Sequence, residues 1–449
     1  MLDSHFLFMC ITFFVVMIML RRPLGIIEII SSSMGAAIVL LLGIVPLSDL
    51  IHVFDVVRGA TLTILSTTIM ALVLDSIGFF KWIAFNIIIR SKRSGKLLFI
   101  YILLLCFLMT MFFNDESSIL ITTPIIIYIM KLLKMKQRQA FPYFISGALI
   151  AITASSPIAV SSISNLISLK IIGFSLNSYI EMMFVPSLLG IVLIAFLLYI
   201  YFKKDIPNRT PFLHLKWHYT SHAIILDHPL KRESADEKID WPLFKSCIWI
   251  VILTRIGFFT LSPFGVPLEW IGLSGALLLL LIRWHRTKMG MLDVFKKIPW
   301  HILLFAFNVY VLVYGLKNVG LTHLIAWHLE AFVTDHSFHI SMVIGLFFTL
   351  LSNTVNSLPA VMIGSLSITE MGMDQQTIQF TYLTSMIGMN IGALLTPIGA
   401  LSTLLWMFLL KKHSVNITWG QYMKVTFVII PIGLFTSLFF LYIWNTFLF

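Results

Sequence analysis

The sequence predicts an all-α polytopic membrane protein made of two inverted-topology repeats, each with a re-entrant helical hairpin and a broken transmembrane helix. Three observations lead there. Hydrophobic residues make up 59% of the 449 positions and charged residues only 11%, well below the quarter that soluble domains carry. Polar residues and proline interrupt two apolar runs, at Asn353, Thr354, Asn356 and Ser357 and at Thr396-Pro397-Ile398-Gly399, although non-helical backbone persists at membrane depth only where protein or a wet cavity covers it. The other half repeats these marks in order, as a repeat architecture requires. Leu74-Asp75-Ser76-Ile77-Gly78 matches Leu316-Lys317-Asn318-Val319-Gly320; each glycine stands 36 positions before an asparagine, Asn114 or Asn356, and Pro157 or Pro397 follows 43 or 41 positions later.

Basic residues concentrated in short loops mark the cytoplasmic side and orient each element. Residues 6–20 are apolar and are followed by Arg21-Arg22, the reverse of a cleavable signal peptide, so residues 1–22 are expected as a retained transmembrane helix with its N-terminus outside. The first repeat spans 23–203. Leu24 to Val45 crosses outward, Asp49 and Asp55 sit in an outer loop, and Thr61 to Phe79 returns to a cytoplasmic loop holding Lys81, Arg90, Lys92, Arg93 and Lys96. Leu97 to Phe113 and Ser117 to Leu133 form a hairpin with both ends inside. An arm of this length nearly spans at about 1.5 Å per residue, so length leaves a full and a re-entrant hairpin both open. Ala140 to Leu166 crosses with a break at Ser155-Ser156-Pro157, and Tyr179 to Phe202 returns.

Residues 204–242 form a cytoplasmic linker, and 243–449 hold an extra helix and the second repeat. Phe244 to Leu261, Leu268 to Ile282 and Ile302 to Val319 cross in turn. The second hairpin has a short arm, Leu358 to Thr369, whose length favours a re-entrant segment. Its flanks carry Glu330, Asp335, Glu370 and Asp374 and no cluster of positive charge, so it enters from outside, opposite to the first. Thr377 to Leu410 crosses with a break at Thr396-Pro397, and Tyr422 to Trp444 ends the chain outside. The expectation is ten crossing helices and two hairpins, multi-pass in the cell membrane.

The net charge of +11 follows the loops and assigns no nucleic-acid role. Cys10, Cys106 and Cys247 stand in separate apolar runs, a pattern of buried thiols with no disulfide framework or metal site. No P-loop, His-Glu-x-x-His or Gly-x-Ser-x-Gly occurs in the chain, which argues against ATP hydrolysis by this polypeptide and against an enzyme; no cofactor is expected. His214, His218 and His222 recur every four residues in the linker, as in an amphipathic interfacial helix or a pH or metal sensor.

The stretches Leu74 to Phe80, Asn114-Asp115 with Leu120 to Pro124, Val313 to Thr322 and Thr396 to Trp406 resemble the arsenite/antimonite efflux permeases of the wider ion transporter superfamily, and the likeness runs over nearly the whole chain. The resemblance implies a secondary transporter that exports a small oxyanion-like solute, arsenite or antimonite, in exchange for protons. It leaves room for a separate soluble ATPase docked on the linker and for a homodimer. The alternative within the superfamily is a sodium-coupled anion transporter or a sodium/proton antiporter; Ser352-Asn353-Thr354 is similar to a hairpin tip of sodium-coupled dicarboxylate transporters. Where the efflux family commonly has an acid before its first Thr-Ala-Ser this chain has Ile152, and where the family has Asp and Lys before Thr-Pro-Ile-Gly it has Asn390 and Leu394.

Asp115 and Glu116 are adjacent acids between two apolar arms. Within a membrane such groups are expensive unless they pair or face a wet cavity, which suits one of them to carry a proton; outside it they form a solvated turn. Asp115 and Asp75 match family acids, and Glu116 is a departure. Candidate solute ligands are the hydroxyls and amides around the breaks: Asn114, Ser155, Ser156, Asn165, Asn353, Asn356, Ser357, Asn390, Thr396 and Ser402, with Ser161, Ser162, Thr354 and Thr403 beside them. Freed helix N-termini would add amide donors, and part of this hydroxyl set serves to pack helices together.

Overall fold

The computed structural model describes residues 9, 11–13, 26–210, 240–288, 290, 292–298, 300–333 and 338–448. Most of the expected first helix, most of the linker, its three histidines and Cys10 lie outside the described residues. All regular structure among the described residues is helical. Among the described residues, eight helices are long and apolar enough to cross a bilayer, nine if a pair bent by 69° counts as one span.

Helix α1 covers Ile26–Leu41 and α2 covers Leu47–Ser76. The sequence places a loop at Asp49 and Asp55; instead Pro46 sits at the N-cap and α2 runs unbroken from there. No proline follows to interrupt it, and Asp49 in the first turn suits the positive end of the helix dipole. A second correction concerns the basic loop expected after Phe79. Phe79–Arg90 is helix α3, separated from α2 by a turn at Gly78. The matching turn in the other half joins α12 (His301–Asn318) to α13 (Leu321–Glu330) through Gly320. The two turns share one backbone conformation: Ile77 and Val319 have φ/ψ of −89°/4° and −88°/5°, and Gly78 and Gly320 have φ of 83° and 88°. That left-handed φ is open to glycine at little cost and strained for other residues, which explains why this pentapeptide match is visible in the sequence.

Two hairpins follow the turns. In the first, α4 (Gly95–Phe112) and α5 (Asp115–Leu132) meet at Phe113-Asn114; in the second, α14 (Phe338–Val355) and α15 (Ser357–Thr369) meet at Asn356. Each hairpin leads into a broken helix. The first comprises α6 (Gln137–Thr153), an irregular stretch with a 3-10 turn at Ala159–Ser161, and α7 (Ile163–Ile172). The second comprises α16 (Gln375–Asn390), a 3-10 turn at Gly392–Leu395, and α17 (Leu401–Lys412). Each half closes with a long helix, α8 (Leu176–Phe202) or α18 (Trp419–Leu448). Between the halves lie α9 (Trp241–Leu261), α10 (Leu268–Thr287) and the short α11 (Leu292–Phe295).

The halves pack across one another. Helix α5 lies on α17 and α15 lies on α7; α2 lies on α10 and α1 on α12; α8 pairs with α18. Exchanging the halves turns the α5–α17 contact into the α15–α7 contact and leaves the α8–α18 pair in place. The central windows of α2 and of α16 with its 3-10 turn are 89% and 83% buried, against 28–50% for the other candidate spans. Those other spans expose Phe196, Leu253, Leu278, Leu350 and Phe435, the apolar outer surface that hydrocarbon solvates. Lipid-facing helices thus surround a core of hairpin tips and broken helices.

Candidate functional site

The core helices meet end on. Helices α5, α7, α15 and α17 all begin at one cavity of about 30 Å³, lined by their first-turn or capping residues: Asp115 and Glu116; Ser162, Ile163 and Ser164; Ser357 and Leu358; Ala400, Leu401 and Ser402. Ile152 and Ser155 from the first broken helix and Met389 and Asn390 from the second complete the wall. Such a volume holds a water or two, or a solute of similar bulk. Helix N-termini carry unsatisfied N–H groups and a partial positive charge. Asn114 caps α5, its side chain accepting from Ser117 N at 2.7 Å. Neither Ser162 nor Ala400 caps its helix through a side chain, which leaves amide donors of α7 and α17 at the cavity.

The acids are part of this wall. Asp115 and Glu116 are 7% and 9% exposed, so the solvated-turn alternative does not hold. Asp115 accepts a hydrogen bond from Ser402 Oγ at 3.0 Å, linking the tip of hairpin one to the second broken helix. The two carboxyls are within hydrogen-bonding reach of each other. Glu116 Oε2 and Asn390 Nδ2 are buried without a protein partner, an acceptor and a donor both at the cavity. No lysine or arginine lines it. Ile152, where the resembling family has an acid, forms an apolar part of the wall.

Of the residues singled out from the sequence, Asp115, Glu116, Ile152, Ser155, Ser162, Ser357, Asn390 and Ser402 come together here. The others do not line the cavity and several hold its backbone in place. Asn114 donates to Thr67 Oγ1 at 2.9 Å and Thr68 Oγ1 at 3.1 Å on α2. Asn353 donates to the carbonyls of Thr349 and Gly392 at 2.8 and 2.9 Å and accepts from the backbone and hydroxyl of Thr396 at 2.9 and 2.8 Å. Asn356 donates to Ile398 O at 2.7 Å, and Ser357 N donates to Gly399 O at 2.7 Å. Asn165 donates to Ser155 O at 3.1 Å, while the Ser156 carbonyl accepts from Tyr179. Asp75 stands in the last turn of α2 and does not line the cavity.

Asn356 has φ 76° and ψ 154°, a conformation strained for any residue but glycine. Its own amide and the Ser357–Gly399 bond hold it there. Gly399 is equally constrained: a Cβ on it would collide with the Ala393 carbonyl and approach Asn353 Oδ1 at 2.8 Å. Hairpin two is therefore seated on the second break by interlocking backbone contacts.

Arg255 was missed from the sequence. It is buried on α9 and donates through Nε to Phe112 O at 2.5 Å and through an Nη to Phe113 O, with its guanidinium 5.6 Å from the Phe258 ring centre. These are end-of-helix carbonyls that α4 cannot satisfy itself, at the tip that presents Asp115. A lone arginine in an apolar run was the available signal. Ser164 was also missed; it occupies the second position of α7, as Ser402 does in α17.

Two hairpin tips and two broken helices enclosing one small polar cavity within a lipid-facing bundle define a membrane transporter. The arsenical pump membrane protein family matches residues 5–445. A putative arsenical pump membrane protein of Bacillus subtilis is 42% identical over 442 residues, 98% of this chain and all of the relative. An arsenical pump membrane protein of Escherichia coli is 31% identical over 413 residues, 91% of each chain. A more distant 46 kDa membrane protein of Mycobacterium leprae is 21% identical over 98% of each. The chain belongs to the arsenical pump membrane protein family.

Proposed function

We propose that the protein exports trivalent arsenic or antimony as an uncharged trihydroxide in exchange for protons, and that the cavity between the hairpin tips is where solute and proton compete. The observation that carries this reading is the Asp115–Glu116 pair in the same small cavity as Ser402, Ser357, Ser155 and Asn390, with no fixed cation. A neutral polyhydroxylated solute donates O–H groups to carboxylate oxygens and accepts from hydroxyl, amide and helix-terminal N–H groups. A dicarboxylate would want a fixed positive charge that this wall lacks.

Exchange follows from sharing. Two carboxyls in contact cannot both hold negative charge cheaply in a dry site, so an acid pair takes a proton when nothing else occupies its oxygens. Solute hydroxyls and the proton then use the same acceptors, and binding of one opposes binding of the other by reciprocal linkage. The inverted orientation of the two repeats, read from loop charge, supplies two equivalent arrangements through which the cavity opens to one side and then the other. Asp75, in the last turn of α2, is the secondary candidate in proton coupling.

The test is arsenite tolerance of a sensitive host with and without the gene, alongside arsenite uptake into everted vesicles under an imposed pH gradient. Tolerance together with pH-driven uptake supports the reading. Uptake that follows a sodium gradient and ignores pH would replace it with the sodium-coupled alternative.

A further inference from the structure

A second and much larger cavity, about 630 Å³, lies apart from the solute site, between the start of α6, the end of α8 and the start of α18. It is in the size range of sites for small organic ligands. Arg138 and Lys424 stand on its wall with the amides of Gln137 and Gln421, and Phe144 and Phe202 supply its buried apolar part. Arg138 is 3.5 Å from Asp205 with its side chain 89% exposed, so the guanidinium is engaged on one side only.

Where the cavity sits says what fills it. Lys134 and Lys136 precede α6, Lys203 and Lys204 follow α8, and Lys411 and Lys412 end α17, so this is the basic end of the molecule and, by the positive-inside rule, the cytoplasmic headgroup level. Next to the cavity the outer faces of α8 and α18 expose Ile200, Tyr201, Phe427 and Val428 by 51%, 40%, 55% and 49%. The cavity is therefore continuous with lipid-facing surface on one side and with the basic rim on the other.

We infer that this cavity is a binding site for one anionic phospholipid, its phosphate held by Arg138 and Lys424 and its glycerol backbone and upper acyl chain lying on the aromatic wall. Basic pockets between transmembrane helices on the cytoplasmic side have the chemistry to select such headgroups. The site joins α6, which leads to the solute cavity, to α8 and α18 on the lipid-facing perimeter, so an occupied headgroup pocket stabilises their contact. This inference does not depend on which solute crosses.

The test uses the full-length protein purified in neutral detergent and returned to phosphatidylcholine nanodiscs with or without phosphatidylglycerol. Native mass spectrometry is expected to show one retained phosphatidylglycerol and melting to shift upward with that lipid. The double variant Arg138→Gln/Lys424→Gln, both exposed positions that a fold tolerates, is expected to bind about thirtyfold more weakly, the loss of two cations at the headgroup level. Lys203→Gln/Lys204→Gln on the same rim is expected to bind as wild type does. Equal loss in that control would mean diffuse surface charge and overturn the pocket. Equal stabilisation by phosphatidylcholine, or the full shift from inorganic phosphate alone, would overturn the lipid.

Discussion

Asp115 and Glu116 are neighbours in sequence with different surroundings. Asp115 is tied to Ser402 Oγ at 3.0 Å, whereas Glu116 has an oxygen with no protein partner. Asp115 thus links the hairpin tip to the second half of a broken helix, and Glu116 offers the free acceptor. Asp115→Asn is expected to abolish pH-driven efflux while leaving protein levels and much of the solute binding in place. Glu116→Gln is expected to do less to coupling and to raise KM. Initial rates of arsenite uptake into everted vesicles at several pH gradients check both; an Asp115→Asn protein that still follows the gradient would shift the coupling role to Asp75. Ser402→Ala removes one neutral hydrogen bond to the acid, about 1 kcal/mol, and is expected to weaken solute binding by roughly fivefold. At Gly399, alanine forces the second break apart, and transport is expected to fall to background with the chain still inserted, read as rate per protein in vesicles.

At the level of elements, the hairpin tips are held by neighbours. Arg255→Leu leaves the Phe112 and Phe113 carbonyls buried without their donor, at about 1–3 kcal/mol each. Melting of the purified variant is expected several degrees below wild type, together with loss of transport. A second clamp joins α10 to the short α11. Arg283, 1% exposed, holds Asp293 at 2.5 Å. Burial tends to raise the Asp293 carboxyl, but the hydrogen bond and charge of Arg283 outweigh it and hold the carboxyl below its usual 3.8. A depressed carboxyl contributes stability that is complete above the unfolded value and lost as pH falls through the folded one. Asp293→Asn is therefore expected to melt lower at neutral pH, by about 1–2 kcal/mol once exposure of the carboxylate is discounted. Its deficit should shrink as pH falls below the usual carboxylate range and vanish once the wild-type acid is protonated in the folded state.

The elements also show what the sequence can and cannot reveal. Gly78 and Gly320 were legible because a left-handed turn narrows the choice of residue, and the Asn and Pro marks because broken helices at membrane depth need particular groups. The hairpin arms and both breaks follow from those marks. Helices α3 and α13 were not legible: FFKWIAFNIIIR reads equally as apolar loop or helix, and it is the Gly78 turn that starts it. Asn353 and Asn356 stand out in the sequence as candidate solute ligands, but the hydrogen bonds they make to backbone 39 to 43 residues away have no local pattern. Nothing in a sequence separates an amide that holds a break from one that faces the cavity. Arg255 was hidden for the same reason, since its partners lie 142 and 143 positions away.

Across the whole molecule, the contacts between halves place two tips and two broken helices on one cavity and keep the long helices against lipid. In the proposed function all the transport chemistry belongs to that centre. Proton and solute are proposed to share the Asp115–Glu116 pocket. The most direct measurement is arsenite flux into proteoliposomes holding only this protein, with the pH gradient as the sole driving force, for wild type and Asp115→Asn side by side. Uphill arsenite movement that reverses when the gradient is reversed is expected in the wild type, and none in Asp115→Asn, although arsenite still raises the variant's melting temperature. Gradient-driven flux at the wild-type rate in Asp115→Asn, or wild-type flux indifferent to the gradient, would contradict the shared pocket.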